Sequence, residues 1–183
     1  MNSKIIPVAV INANAPAESL EAKQPNIDNG AEIYGKDGYF SAEHMQREWD
    51  KVWTESWLIA GVSTDLQAPG DYFLFRVRSE SIIVTQTEEG VKAFYNVCPH
   101  RGARLLTEER GNKKVFVCPF HSWSFRNNGE LRTITDEETF QEPVICHRPG
   151  LAPVACEEHA GLIFVSMADN PPPLQESIGL PEG

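Results

Sequence analysis

The sequence has few cysteines, few basic residues and no long apolar run, and each of these scarcities narrows the possible functions. No stretch approaches the roughly 18–20 apolar residues of a membrane-spanning helix, and 16 basic residues against 26 acidic ones leave a net charge of −10. We therefore expect neither a membrane nor a nucleic acid as partner. Among the four cysteines, Cys98 stands two residues and Cys118 three residues before a histidine in similar Cys-Pro motifs, which favours metal binding in a reducing compartment over disulfides. We predict a cytoplasmic protein.

The N-terminal part predicts an arm followed by one helix. Residues 1–38 are rich in Asn, Ala, Pro and Gly and show no period, so they predict a flexible arm with little regular structure. Ser41 can cap a helix, and an apolar stripe follows at helical spacing, formed by Met45, Trp49, Val52 and Trp53. We interpret this stripe as core packing.

The remainder of the chain predicts short strands. Apolar runs rich in β-branched and aromatic residues occupy 57–61, 72–77, 81–85, 91–97, 114–117 and 161–167. Glu89–Gly90 and Asn128–Gly129 predict hairpin turns, because glycine tolerates the positive φ that such turns need. Many short strands at close spacing predict an antiparallel sandwich or barrel. Pro171–Pro173 predicts a stiff linker.

Two loops carry the residues that point to chemistry. Cys98-Pro99-His100 closes one predicted strand, Cys118-Pro119-Phe120-His121 closes another, and 17 residues separate His100 from Cys118. Two thiolates and two imidazoles from facing loops fit a Rieske-type 2Fe-2S cluster, in which two cysteines hold one iron and two histidines the other. Tetrahedral zinc takes the same four ligands. Zinc fingers, however, pair their cysteines first and place both histidines on a helix, whereas cysteine and histidine alternate here.

Four neighbouring residues are predicted to surround these ligands: Arg101, Gly102, Phe120 and Trp123. Gly102 and the loop prolines help to bring backbone N–H groups near the sulfurs, where hydrogen bonds stabilise a reduced cluster. Phe120 and Trp123 can shield the loops from water. We assign no catalytic residue.

The charge is uneven along the chain. Between Cys98 and Arg132 seven basic residues face three glutamates, a net of +4, so the rest of the chain carries −14. Such a basic collar suits fast docking of an acidic electron donor, although ordinary variation among solvated loops would give the same pattern. The collar consists of Arg101, Arg104, Arg110, Lys113, Lys114, Arg126 and Arg132.

Two motifs give the chain a family resemblance. Tyr95-Asn-Val-Cys-Pro-His-Arg-Gly-Ala-Arg104 and Cys118-Pro-Phe-His-Ser-Trp-Ser-Phe125 resemble the N-terminal half of the α subunits of Rieske non-haem iron oxygenases, the ring-hydroxylating oxygenases and their relatives. The resemblance runs from about Tyr39 to Leu180. It implies an all-β Rieske-type antiparallel sandwich over 39–170, with a small cluster-binding subdomain at about 96–132 and an N-terminal helix. Residues 171–183 would form a Pro-rich linker.

The resemblance also assigns roles within the site. Cys98 and Cys118 would hold the inner iron, and His100 and His121 the iron nearer to solvent. Ser122 departs from the family, which usually has glycine after the second histidine, and we expect only a local adjustment. Respiratory-chain Rieske proteins carry a disulfide at the positions of Ala103 and Phe120, so the resemblance indicates the lower-potential, ferredoxin-like branch.

The function that this resemblance implies is electron transfer. The chain would take single electrons from a ferredoxin or flavin reductase and pass them to a mononuclear Fe(II) in an oxygenase catalytic domain, within a ring of homo-oligomeric subunits. The sequence stops at Gly183, about where that domain should begin, and has no Asp/Glu-x-x-His-x-x-x-x-His run. We therefore expect this part of an oxidoreductase not to hydroxylate a substrate alone. The alternative is a free-standing Rieske ferredoxin, although such carriers are generally shorter and lack the helix at 41–54.

Overall fold

The computed structural model describes residues 37–140 and 150–179, and a seven-stranded antiparallel sheet dominates it. The strand order is β1-β10-β9-β4-β3-β2-β5. The strands are β1 Leu58–Val62, β2 Asp71–Val77, β3 Glu80–Thr87, β4 Gly90–Tyr95, β5 Arg110–Asn112, β9 Pro153–His159 and β10 Leu162–Ser166.

The large sheet curls until its outer strands approach each other. Four strands separate β1 from β2 within the sheet, yet a Cβ atom added at Gly61 of β1 would lie 2.7 Å from Cζ of Phe73 on β2. A larger residue at position 61 would therefore displace the Phe73 ring. The curled sheet encloses a core formed by Leu66, Phe73, Ile82, Val84, Ala93, Val154, Ile163 and Val165.

A second, three-stranded antiparallel sheet carries the candidate site. Its order is β6-β7-β8, with β6 Val115–Val117, β7 Ser124–Arg126 and β8 Leu131–Thr133. Phe116 of β6 and Phe125 of β7 lie opposite each other and are fully buried. They belong to a second core that also contains Cys98, Cys118 and Trp123. The small sheet thus anchors both candidate loops in apolar packing.

The all-β prediction is confirmed, and each of the six predicted strands is present. Gly90 and Gly129 have φ values of +118° and +89°, as the predicted hairpin turns require. β5, β7, β8 and β9 were not predicted. Three of these strands have only three residues, too few to show a period, and β9 begins at Pro153 and ends in charged residues.

The helices within the described residues are short. They are α1 Asp37–Phe40, α2 Ala42–Glu48, which continues as a π-helical turn at Trp49–Trp53, and α3 Leu174–Ser177. The predicted cap is confirmed, since the His44 N–H donates to Ser41 Oγ at 3.2 Å. Two 3₁₀ turns lie at Ser63–Asp65 and Glu137–Thr139.

The core-packing interpretation of the helical stripe is wrong. Met45, Val52 and Trp53 are exposed. The Thr54 N–H bonds to the carbonyl of Trp49 five residues earlier, and this wider π turn breaks the 3.6-residue period on which the stripe depends. Trp49 is covered by Arg78, whose guanidinium carbon lies 5.2 Å from the indole centroid.

Some predictions fall outside the described residues. These are residues 1–36 of the predicted arm and the end of the predicted linker at 180–183. Both sheets belong to a compact unit that begins at Gln46. The domain limits 39–170 and 171–183 stay predictions.

Candidate metal centre

Two loops of the same backbone design hold the four candidate ligands. In the first, the Cys98 N–H donates to the carbonyl of Ala103 at 2.8 Å, and the Gly102 N–H donates back to the carbonyl of Cys98 at 2.9 Å. In the second loop, the Cys118 N–H donates to the carbonyl of Trp123 at 2.8 Å, and the Ser122 N–H donates back to the carbonyl of Cys118 at 3.0 Å. Each loop thus places a cysteine and a histidine within one closed turn.

The two loops also share a left-handed residue at the same position. Gly102 has φ of +71° and Ser122 has φ of +60°. This conformation suits glycine and is unfavourable for other L-residues. The serine in place of the family's glycine is therefore accommodated without a change of loop shape, at a cost in backbone strain.

Asn96 anchors the first loop, and sequence reasoning gave it no role. Its side-chain oxygen accepts the N–H groups of Leu105 and Leu106 at 3.1 and 2.9 Å. Its amide donates to the carbonyl of Leu106 at 2.7 Å and to Ser81 Oγ at 3.2 Å. Asn96 is buried, and its place two residues before Cys98 was the only available signal.

The two cysteines form one pair of the site. Cys98 and Cys118 are 1% and 2% exposed, and their side chains contact each other. Burial, the largest effect, raises the pKa of the Cys98 thiol, while the backbone N–H groups of His100 and Arg101 donate to its sulfur and lower it. N–H groups that point at a sulfur stabilise a thiolate ligand.

The two histidines form the other pair. The ring centroids of His100 and His121 lie 4.7 Å apart. The Nδ1 atoms of both rings are buried and have no hydrogen-bond partner among the described residues. Burial lowers the pKa of His100, and the nearby charges of His121 and Arg101 lower it further, which favours the neutral imidazole that binds metals.

The four candidate ligands therefore form two separate pairs, one of cysteines and one of histidines. Within residues 37–140 and 150–179, no three His, Cys, Asp or Glu side chains are placed to hold one metal ion. A Rieske cluster asks each pair to hold a different iron, two sulfurs on one and two imidazoles on the other.

Aromatic rings cover the two imidazoles unequally. Trp123, which is 2% exposed, stacks on His100 with centroids 4.6 Å apart and an interplanar angle of 4°. Phe140 packs edge to face against His100 and Trp123, with ring centroids 5.8 Å and 5.5 Å away. Phe120 lies 4.0 Å from the His121 ring but is itself 60% exposed. Phe140, far from both motifs in sequence, gave no signal in advance.

Ion pairs neutralise part of the basic collar. Arg110 pairs with Asp65 at 2.7 Å and Lys113 lies 3.4 Å from Glu108. Among the described residues, Arg101, Arg104 and Arg132 have no ion-pair partner. Arg101 and Arg104 belong to the first loop, so positive charge does remain at the candidate ligands.

Comparison with known proteins decides the family. Residues 56–148 match the family described as Rieske [2Fe-2S] domain. The chain belongs to this family. Its cofactor is therefore a Rieske-type 2Fe-2S cluster, and the unpartnered imidazole nitrogens fit such a group. The predicted resemblance and cofactor are confirmed.

The relatives are oxygenase components. The chain is 34% identical to the carnitine monooxygenase oxygenase subunit of Acinetobacter baumannii, over 72% of this chain and 36% of that protein. It is 34% identical to the large oxygenase component of the naphthalene 1,2-dioxygenase system of Pseudomonas putida, over 75% and 31%. The crystal structure of a quaternary ammonium Rieske monooxygenase with gamma-butyrobetaine aligns with a TM-score of 0.73 and 30% identity, over 78% of this chain and 41% of that chain.

These relatives favour an oxygenase component over the alternative of a free-standing Rieske ferredoxin. The chain spans about a third of the length of the curated relatives that it matches. None of the helices in the described part of the chain is long and apolar enough to cross a membrane.

Proposed function

We propose that Cys98, His100, Cys118 and His121 hold the 2Fe-2S cluster, and that the chain uses it to carry single electrons inside a Rieske oxygenase. When bound, the cluster supplies one-electron oxidation and reduction near the surface of the chain. Carnitine and naphthalene differ as substrates, and the parts of their oxygenases that match this chain are nevertheless alike. We therefore infer that the matching part serves a step that does not depend on the substrate, which is electron transfer through the cluster.

The observation that carries this proposal is the pair of buried, unpartnered Nδ1 atoms in His100 and His121. A buried polar atom without a partner is costly, and two such atoms on neighbouring rings are explained by metal binding. The contact between the two buried cysteines supplies the second pair of ligands.

The surrounding residues would each act on the ligands. The N–H groups of His100 and Arg101 hold negative charge on the Cys98 sulfur. Trp123 fixes the orientation of His100 by stacking and excludes water from that side. Arg101, next to His100 in the loop, adds positive charge, which favours the state that has gained an electron.

We propose that the donor is a ferredoxin or flavin reductase and that the acceptor is a mononuclear iron in an oxygenase catalytic domain, in a ring of subunits. The net charge of +4 between Cys98 and Arg132 supports an acidic donor. We also place the chain in the cytoplasm, because Cys156, outside both loops, is a free thiol in the described structure and reducing conditions preserve free thiols.

The test is a visible and low-temperature EPR spectrum before and after dithionite, with iron and sulfide assays. We expect two irons and two sulfides per chain and a reduced-state signal with an average g below about 2. Cys98→Ser should abolish the signal, whereas the matched control Cys156→Ser should keep it, because Cys156 lies on β9 outside both loops. A colourless protein with one zinc would overturn the proposal in favour of a structural module.

A further inference from the structure

The small sheet presents one outward face that leads from the cluster loops to a basic cavity. In the β6–β7 ladder Val115 lies opposite Arg126, and Val117 lies opposite Ser124. Residues opposite each other share a face, and residues two apart on one strand do too. Because Phe116 and Phe125 fill the inner face, Val115, Val117 and Arg126 lie on the outer one.

The end of this face next to the cluster loops is apolar. Val117, directly before Cys118, is 52% exposed, and Phe120, directly before His121, is 60% exposed. They are the exposed large apolar side chains of the described cluster-binding sheet and its loops. The Phe120 ring touches the imidazole of His121, so a partner that contacts Phe120 comes within one side chain of a ligand.

The other end of the face is a cavity of about 480 Å³ with three cations in its wall. Lys114 is 72% exposed and lies 3.8 Å from Glu88, and Arg126 lies 4.0 Å from Glu130, both at the outer limit of an ion pair. Arg132 has no ion-pair partner among the described residues. Such exposed, weakly paired cations are easily drawn to a partner's carboxylates.

We propose that Lys114, Val117, Phe120, Arg126 and Arg132, here called the β6 strip, form the docking surface for an acidic electron-carrier protein. An apolar centre beside a charged rim is the usual build of a transient protein interface. Carboxylates of the carrier enter the cavity, and an apolar side chain packs on Val117 and Phe120. Val115 and Cys118 lie three residue steps apart, roughly 10 Å along the strand, so one small protein covers both ends of the strip.

This inference rests on the proposed electron-transfer function. In each encounter the carrier is oxidised by one electron, the chain is reduced by one, and no covalent bond forms or breaks. Glu88 and Glu89 also line the cavity, but Glu89 is bound to Lys92. The lining therefore keeps a small net positive charge, three cations against two carboxylates.

The experiment is stopped-flow reduction of the cluster-loaded chain by a reduced, acidic plant-type ferredoxin, whose reduction potential is low enough to reduce a Rieske cluster. The double variant Lys114→Gln/Arg132→Gln should slow the second-order rate about tenfold at low salt and match the wild type at high salt. Val117→Ser should slow it about fivefold at every salt concentration, since an apolar contact is not screened.

Controls separate this inference from the proposed function. Ile59→Ser and Lys51→Gln change an exposed apolar residue and an exposed cation outside the strip, and both should behave like the wild type. Dithionite, which needs no docking surface, should reduce the Val117 and Lys114/Arg132 variants at wild-type rates. Phe120→Leu should also slow the ferredoxin reaction, and its EPR spectrum checks that the contact with His121 has not changed the cluster.

Two results would overturn the inference. Strip variants that react with ferredoxin as fast as the controls would exclude this face as the donor site. A change in oligomeric state without a change in rate would assign the strip to a second copy of the chain. A wild-type chain that dithionite cannot reduce would instead contradict the proposed function itself.

Discussion

Replacing Ser122 by glycine should stabilise the protein, and the second loop shows why. Ser122 occupies the position that Gly102 occupies in the first loop, with φ of +60° against +71°. Both residues donate their N–H to the carbonyl of the loop cysteine. The loop therefore requires a left-handed residue there, and serine adopts it against its preference.

The size of the effect follows from two opposing terms. A left-handed backbone costs a non-glycine residue about 1–2 kcal/mol. The extra freedom that glycine gives the unfolded chain offsets about 0.5–1 kcal/mol of this. The net gain is about 0.5–1 kcal/mol, or roughly 2 °C in the melting temperature of a protein of this size.

Circular dichroism melts of the cluster-loaded protein at one scan rate provide the assay. Ser122→Gly should melt about 2 °C higher than the wild type, and Gly102→Ser should melt lower by a similar amount. A Cβ atom at Gly102 meets nothing within 4 Å, so only the backbone term acts there. Ser122→Ala keeps the strain without the hydroxyl and should match the wild type. If Ser122→Ala stabilised as much as Ser122→Gly, the hydroxyl and not the backbone would be responsible, and the reasoning would fail.

Three further predictions concern the ligands, the loop anchor and the basic collar. His121→Cys should keep an iron-sulfur site but lower its potential in an EPR-monitored redox titration, because a thiolate adds negative charge; an unchanged potential would remove His121 from the ligand set. Asn96→Ala should lower the free energy of unfolding by about 3 kcal/mol in a denaturant titration, since it removes four buried hydrogen bonds and strands two backbone N–H groups. Neutralising Arg101, Arg104 and Arg126 should slow reduction by an acidic ferredoxin, most at low salt; rates indifferent to charge and salt would contradict the collar.

The fold was predictable where sequence and structure use the same local rule. β2 and β3 are long enough to show β-branched and aromatic enrichment, and Gly90 marks the turn into β4 by its positive φ. The three-residue strands of the small sheet have no room for a period, so only the Asn128–Gly129 turn pointed to the pairing of β7 with β8. Helical periodicity failed at Trp49–Trp53 because a π turn has a different period.

The candidate site was likewise predictable only in part. The four candidate ligands follow from the spacing within two motifs, because each pair lies in one closed loop. Asn96 and Phe140 do not, since their roles depend on contacts with residues nine or more positions away. A sequence motif predicts the loop that carries a ligand, but it does not predict which distant residues pack against that ligand.

The two loops are one backbone design used twice, and their side chains make them different. His100 lies against the buried Trp123 and the edge of Phe140, whereas His121 lies against the exposed Phe120. The same hydrogen bonds close both loops, but the histidine stands two residues after the cysteine in the first loop and three in the second, so the hydrogen-bond pattern alone does not explain this asymmetry. It arises because the second loop supplies both rings, Trp123 turned inward onto the first loop's histidine and Phe120 turned outward over its own. The His121 side is therefore the side on which a partner protein can come within one side chain of the ligands, and Val117 and Phe120 of the β6 strip lie just before His121 in the chain.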